Sequence, residues 1–167
     1  FLALLGTIIL AISSKIKIPF YPVPMTMQTL VVLLLGILFG WKLGVATVLL
    51  YLFEGAIGLP VFAGTPEKGM GLMYFTGPTM GYLIGFFLSC FLASYIKNDD
   101  NYFTILIKLT LSVSTIYILG ILWLGTVIGW DKPILELGVM PFLLAEILKI
   151  TLLTILSKKI FKLRKFI

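Results

Sequence analysis

The stretch "PFLLAEILKITLLTIL", residues 141–156, decides the fold class because it is apolar enough to lie in a membrane. A transmembrane helix needs about 20 predominantly apolar residues. Yet the stretch carries Glu146 and Lys149, and a charged side chain inside a bilayer costs about 2.5–3.5 kcal/mol on insertion scales. Their spacing of three residues places both charges on one helix face. Either they form an ion pair with each other, or they face a cavity and bind a polar ligand.

The rest of the chain has the same apolar character. Hydrophobic residues make up 60% of its 167 residues and charged residues only 12%, whereas a soluble domain carries about 25% charged residues. This composition predicts an all-α membrane protein, a six-transmembrane-helix bundle in which residues 1–167 form a single integral membrane domain. The six apolar runs are 1–13, 25–41, 43–57, 77–96, 102–128 and 137–156.

The residue types that are missing exclude several classes of function. The chain has no histidine and a single cysteine, Cys90, in the apolar setting "FFLSCFLASY". Histidine-based zinc sites, Ser–His hydrolysis and disulfide frameworks are therefore not expected, and we predict neither a metal site nor an enzyme. The sequence also lacks the Gly-x-x-x-x-Gly-Lys-Ser/Thr motif, so the chain is not expected to hydrolyse ATP itself.

The distribution of charge predicts the orientation in the membrane. The net charge is +6, and basic residues concentrate in "SKKIFKLRKFI", residues 157–167, directly after the last apolar run. This arrangement is typical of a cytoplasmic flank rather than of a nucleic-acid-binding surface. Six spans place both termini on the same side, so we predict that both are cytoplasmic.

The loops expected on the external side are rich in proline, glycine and aromatic residues, a composition typical of structured loops. They predict a pocket or lid on the outer face. Their sequences are "SSKIKIPFYPVP", "GLPVFAGTPEKGMGLMYFTGP" and "GWDKPILELGVMP".

Three further features each leave two interpretations open. Glu54 lies near the outer end of the third run, where it either lines the cavity or binds loop backbone donors. Lys68, in the loop "FAGTPEKGMG", either meets an anionic ligand group or is solvated. Small residues recur at Ala3, Thr7 and Ala11, a spacing that favours close helix packing either with a partner protein or inside the bundle.

Four segments together resemble the BioY family, the biotin-specific substrate-binding (S) components of energy-coupling factor (ECF) transporters. Each segment alone is weakly specific, but their order and spacing cover nearly the whole chain. The segments are "PVPMTMQTLVVLLLG", "GLPVFAGTPEKG", "GPTMGYLIGF" and "AEILK".

The resemblance implies a six-helix protein of a bacterial cytoplasmic membrane with a vitamin pocket near its outer face. It implies biotin as the transported ligand, no cofactor, and assembly with a transmembrane T component and two ABC-type ATPases. The alternatives are an S component for another vitamin or, less favoured, a membrane scaffold or enzyme.

The resemblance also assigns roles to residues. Glu146 and Lys149 match the family's acidic and lysine positions, which contact the ureido ring. The segments 62–71 and 77–82 match the pocket wall and lid, and Lys68 is the candidate for the biotin carboxylate. The aromatic candidates for packing on the thioether ring and valeryl chain are Phe62, Tyr74 and Tyr82.

The remaining assignments concern the partner and the differences from the family pattern. The Ala3, Thr7 and Ala11 stripe matches the face by which such components dock their T partner. The family's acidic position is often Asp, whereas this chain has Glu146, one methylene longer. The pattern "GPTGGY" has Met80 in place of its second glycine, so a flexible side chain either lines or narrows the pocket.

Overall fold

Helices form most of the regular structure in the described part of the chain, residues 1–19, 21–65 and 69–164 of a computed structural model. A two-stranded antiparallel hairpin and two 3₁₀ helices complete it. The helices are α1 (Leu2–Lys15), α2 (Gln28–Ala56), α3 (Met80–Ala93), α4 (Tyr102–Ile128), α5 (Ile134–Gly138) and α6 (Leu143–Arg164). The strands are β1 (Lys17–Ile18) and β2 (Met25–Thr26), and the 3₁₀ helices are Gly71–Thr76 and Met140–Phe142.

Three helical stretches of the described residues are long and apolar enough to cross a membrane: α2, α4 and the α5–α6 region. The helices α1 and α3 are apolar but shorter, with 14 residues each. Long hydrophobic side chains remain exposed along the longer helices, for example Leu111 of α4 and Ile147 of α6, which are each 60% exposed. The predicted all-α architecture with helices of membrane length is confirmed.

The short stretch "FGWKLG" between the second and third apolar runs predicts a tight helical hairpin, and the structure has a sharp break within it. A Cβ on Gly44 would lie 3.0 Å from the Leu35 carbonyl oxygen, so the chain turns back on itself there. The backbone continues as α2 through "FGWKLG", but Gly40 has φ 72° and ψ −178°, which divides the helix into two limbs. A positive φ of this kind favours glycine, because a Cβ is disfavoured there. The Arg164 side chain lies at the kink and donates a hydrogen bond to the Ile37 carbonyl, with an N–O distance of 3.4 Å.

Two other predicted runs shift their boundaries. The run 77–96 forms a helix only from Met80 to Ala93. The run 137–156 was expected to be one span, but α5 and a 3₁₀ helix occupy residues 134–142 and α6 extends from Leu143 to Arg164. Pro141 explains the later start, because proline is compatible with the first turn of a helix but not with its interior.

Glycine residues allow the backbones of the central helices to pack closely. The largest interface between helices is that of α3 with α4, and Gly81 and Gly85 face α4 there, one turn apart. A Cβ on Gly85 would lie 2.5 Å from Ile116 Cα. On the other side of α3, a Cβ on Gly36 of α2 would lie 2.5 Å from the Cys90 carbonyl oxygen. Because lipid gives no hydrophobic drive between helices, such close packing holds the bundle together.

One end of the bundle carries most of the irregular structure and is called the hairpin end below. There β1 and β2 pair with Lys17 opposite Thr26 and Ile18 opposite Met25. The segment 61–65, the first 3₁₀ helix and α5 surround the hairpin. The prediction that these loops are structured is confirmed for their described residues.

Replacing Gly85 by valine should lower the free energy of unfolding by about 1–3 kcal/mol, because the added side chain forces the α3 and α4 backbones apart. The matched control is Ile84→Val, since Ile84 is 41% exposed and should change stability by less than about 1.5 kcal/mol. Thermal unfolding in detergent measures both. Equal stabilities of the two variants would contradict the close packing of α3 on α4.

Candidate functional site

A buried ion pair lies at the hairpin end of α6. The Lys149 Nζ atom is 2.8 Å from Glu146 Oε1, and the two residues are only 5% and 4% exposed. The sequence predicted this proximity from their spacing. Since α6 begins at Leu143, Glu146 lies in its first turn, where the partial positive charge of the helix N-terminus stabilises a carboxylate.

The ammonium group of Lys149 is saturated by acceptors of the protein. It donates to the Thr26 carbonyl oxygen at 2.7 Å, to Thr29 Oγ1 at 2.9 Å and to Glu146 Oε1 at 2.8 Å. An ammonium group has three N–H donors, so these three bonds use all of them. Lys149 is therefore placed to hold Glu146 and the start of α2, and in this structure it has no donor left for a ligand.

The two oxygens of Glu146 have different surroundings. Oε1 accepts hydrogen bonds from Lys149 and from the Thr29 hydroxyl, the latter at 2.8 Å. Oε2 is buried and accepts no hydrogen bond from the described residues. A buried acceptor without a donor costs about 1–3 kcal/mol. The carboxylate is thus oriented with one oxygen fixed and the other available to an external N–H group.

Glu146 is part of the wall of a cavity at the hairpin end. The cavity contains about 540 Å³ of empty space including its open mouth. Apolar side chains line most of it, and a few polar groups converge in it. Its apolar lining comes from Val23, Pro24, Met25, Ala63, Leu83, Phe86, Ile116 and Phe142, and its polar lining from Thr26, Gln28, Thr29, Tyr74, Thr79, Tyr82, Tyr117 and Glu146.

Two of the three predicted aromatic residues line this cavity. The Tyr82 hydroxyl donates to the Gly138 carbonyl oxygen at 2.9 Å, which fixes the ring against the end of α5. The Tyr74 hydroxyl accepts the Gly64 N–H at 3.3 Å. Both rings are therefore held in place by the backbone of neighbouring segments.

Phe62, the third predicted aromatic residue, is not among the lining residues. Its ring is 1% exposed, stacks on Tyr74 with centroids 4.8 Å apart, and meets Tyr51 edge to face at 5.3 Å. Gly55 leaves room for it, because any Cβ at that position would overlap the Phe62 ring. Phe62 supports the cavity wall from behind.

Glu54 also lies away from the cavity. It accepts a hydrogen bond from the Thr7 hydroxyl at 2.9 Å, across the interface between α1 and α2. It was predicted either to line the cavity or to bind loop backbone donors. In the structure its hydrogen-bond partner is instead a side chain of α1. Lys68, the candidate for the ligand carboxylate, lies outside the described residues.

The small-residue stripe of α1 faces the protein's own bundle. Thr7 is only 2% exposed, and Ala11 packs against the hydrophobic core. A Cβ on the neighbouring Gly6 would lie 2.5 Å from the Thr47 side chain of α2. Thr7 and Ala11 therefore pack inside the bundle in this structure, and Ala3 is half-buried. Docking of the stripe on a partner protein stays a prediction.

Several lining residues were not singled out as site residues from the sequence. Thr26, Gln28 and Thr29 lie together at and just before the start of α2. A cluster of polar residues at the start of an apolar helix is the sequence signal that could have identified this wall. Tyr117 lies in the middle of α4, beside Glu146. Met80, the departure from the family pattern, is not a lining residue, whereas its neighbour Thr79 is.

Glu146 and Tyr117 also border a second depression, a groove between α4 and α6. Apart from these two residues and three hydroxyl side chains, Thr110, Ser114 and Thr151, its lining is aliphatic. Polar groups from several elements converge only in the first cavity of these two, so the first cavity is the better candidate for a ligand with N–H groups.

Comparison with known proteins gives one consistent result. The family model described as "BioY family" matches residues 1–166. A probable biotin transporter BioY of Pyrococcus horikoshii is 35% identical over 150 residues, which cover 90% of this chain and 88% of the relative. Biotin transporter BioY2 of Lactococcus lactis is 37% identical over 155 residues, which cover 90% of this chain and 83% of the relative.

Similarity extends to a solved structure. The S-component for biotin from an ECF-type ABC transporter, determined as a crystal structure at 2.1 Å, superposes with a TM-score of 0.80. Its sequence is 26% identical, and the alignment covers 96% of this chain and 89% of that one. Helices of membrane length and these relatives together make the chain a membrane protein.

Replacing Lys149 by methionine should lower the free energy of unfolding by about 3–5 kcal/mol, because the Glu146 carboxylate is then buried without a counter-ion. Adding Glu146→Gln should restore part of that loss, since a neutral amide needs no counter-ion. The control is Lys132→Met, which removes an exposed ion pair worth about 0–1 kcal/mol. Unfolding in detergent measures all four proteins. A double variant no more stable than Lys149→Met alone would contradict the pairing.

Proposed function

The chain belongs to the BioY family, and from this membership and the cavity at the hairpin end we propose that it captures biotin with high affinity. It is the S component that mediates biotin uptake in an ECF-type transporter. Its relatives are transporters, so the protein is a transport protein rather than an enzyme. Its function is to bind and release the vitamin unchanged.

The observation that supports the ligand is that Glu146, a residue of the cavity wall, has one carboxylate oxygen, Oε2, without a hydrogen-bond donor among the described residues. The ureido ring of biotin carries two N–H groups and one carbonyl group. An ionised carboxylate offers only acceptors, so a ureido N–H donates to Oε2 and removes the cost of leaving that oxygen unpaired. Charge-assisted hydrogen bonds of this kind are roughly twice as strong as neutral ones.

The remaining contacts follow from the chemistry of the lining. The ureido oxygen needs a donor, and the Tyr117 side chain and the Gln28 amide line the same cavity, whereas the Thr26 hydroxyl already donates to Gln28 Oε1 at 3.2 Å. Lys149 acts through Glu146, because its three donors are bonded within the protein. The thioether ring and valeryl chain are apolar and pack on Tyr74, Tyr82 and Phe86, which bury apolar ligand surface and orient it.

The assembly and the orientation in the membrane belong to the same proposal. Six membrane helices form a single domain with both termini in the cytoplasm, and α2 supplies two of the six through its limbs on either side of Gly40. The hairpin end then faces outward and receives biotin. A T component and two ABC-type ATPases supply the energy for uptake across the cytoplasmic membrane.

A biotin titration of the purified chain tests the ligand. Wild type should bind biotin but neither riboflavin nor thiamine. Glu146→Gln should weaken binding by about 1.5–3 kcal/mol, because an amide donates where a carboxylate accepts. The matched control, Glu136→Gln, replaces an exposed glutamate of α5 and should bind like wild type. Absence of biotin binding to wild type would contradict the proposed ligand, and unchanged binding by Glu146→Gln would move the ureido site elsewhere.

Cysteine labelling in intact cells tests the orientation. Cys90 is fully buried and gives little background. Lys132→Cys, at the hairpin end, should react with a membrane-impermeant maleimide, whereas Asn98→Cys, at the opposite end, should react only after the cells are permeabilised. Reversed labelling of the two variants would contradict the orientation, and labelling of both in intact cells would contradict the six-span topology.

A further inference from the structure

Two lysine side chains bind the backbone of the segment 61–65, which contributes Ala63 to the cavity wall. Lys15, the last residue of α1, donates to the Phe62 carbonyl oxygen at 2.8 Å, to the Thr65 carbonyl oxygen at 3.1 Å and to Thr65 Oγ1 at 3.2 Å. Lys17, in β1, donates to the Ala63 carbonyl oxygen at 2.6 Å. These two lysines and the segment 61–65 are called the lysine latch below.

The segment 61–65 depends on side chains for its shape. It contains no helix or strand. Within it, the Thr65 N–H and hydroxyl donate to the Phe62 carbonyl oxygen at 3.3 and 2.8 Å, and its other carbonyl groups need partners from elsewhere. Ser14 and Tyr51, both fully buried, donate to the Val61 carbonyl oxygen at 2.7 and 2.9 Å. Buried donors therefore fix the start of the segment, whereas the two lysines, on exposed residues, hold the part that follows.

The segment forms one wall of the cavity. Ala63 is a lining residue. The Gly64 N–H donates to the Tyr74 hydroxyl, and Tyr74 lines the cavity as well. A displacement of residues 62–65 would therefore move both Ala63 and the support of the Tyr74 ring.

The hairpin forms another part of the cavity wall, and Lys17 joins the two parts. Lys17 pairs with Thr26 across the hairpin. Thr26 lines the cavity, and its carbonyl oxygen accepts the hydrogen bond from Lys149. Through one side chain, the wall next to the buried ion pair is thus connected to the wall that contains Ala63.

From this arrangement we propose that Lys15 and Lys17 are positioning residues that hold the segment 61–65 closed over the cavity and set the rates at which the ligand associates and dissociates. The proposal rests on the proposed function, since the ligand is the one assigned there. The bonds from buried Ser14 and Tyr51 persist and form the hinge. The bonds from the exposed ammonium groups exchange with water and open the segment, because exposed charged contacts are weak individually.

A gate of this kind has a kinetic signature that a purely structural contact lacks. Loosening a gate accelerates both association and dissociation, so the equilibrium Kd changes less than either rate. Lys17→Met should increase both rates for biotin by about three- to tenfold, with a Kd within about threefold of wild type. Lys15→Met should act in the same direction. Lys17→Arg should restore slow rates, because it retains a cationic donor.

The kinetic experiment uses the full chain in detergent, with labelled biotin for association and an excess of unlabelled biotin for dissociation. The matched control is Lys132→Met. Lys132 is an exposed lysine at the hairpin end, and its ion pair is with Asp131 rather than with the segment 61–65. A Lys17→Met protein with both rates unchanged, or with a weakened Kd and unchanged association, would overturn the gating role.

A second measurement needs no ligand and separates this proposal from the proposed function. Ala63 is 5% exposed, so the thiol of Ala63→Cys should react slowly with a maleimide and about three- to tenfold faster when Lys17→Met is added. If wild type binds no biotin but labelling accelerates, the proposed function fails and the latch stands. If wild type binds biotin and labelling does not change, the latch fails alone.

Discussion

The burial of one carboxylate and one ammonium group in an apolar bundle is the constraint on which this structure depends. Neither charge can be left alone there, because removing one partner of a buried pair costs about 3–5 kcal/mol. The protein meets the constraint with three elements that converge on α6. The first turn of α6 stabilises Glu146, the Thr29 hydroxyl of α2 bridges both charges, and the Thr26 carbonyl group of the hairpin accepts the last ammonium donor. The pair therefore joins α6, α2 and the hairpin at one point.

This convergence leaves one polar atom for the ligand. All three Lys149 donors and Glu146 Oε1 are engaged, while Oε2 is without a partner among the described residues. A fully satisfied pair would only hold helices together, and two free charges would destabilise the bundle. The observed arrangement holds the elements together through its satisfied groups, and it still offers one strong acceptor. Recognition of a neutral ligand with N–H groups follows from that single acceptor in an otherwise mostly apolar cavity.

The rest of the fold fixes the positions of the cavity walls relative to one another. Glycines at the α2–α3 and α3–α4 interfaces let the backbones approach closely, which fixes the direction of Tyr82 and Phe86 on α3. At the hairpin end the walls are loops, and loops need donors for their carbonyl groups. Phe62 anchors the segment 61–65 by packing, and Ser14, Tyr51 and the two lysines of the latch anchor it by hydrogen bonds. Helices thus form one part of the cavity wall, and the segment 61–65, which is held by side-chain contacts, forms another part.

The sequence by itself determined the class of the protein and the central pair. Apolar runs of membrane length, and two charges three residues apart on one of them, are local patterns that hold whatever the other helices do. The family could also be identified from four short segments in order. What only the tertiary structure decided is which groups meet across the chain. Lys149 finds the Thr26 carbonyl group 123 positions away, Thr7 turns toward Glu54, and Phe62 turns inward rather than into the cavity. These contacts depend on how closely and at what angle the helices pack, and local periodicity carries no information on that geometry.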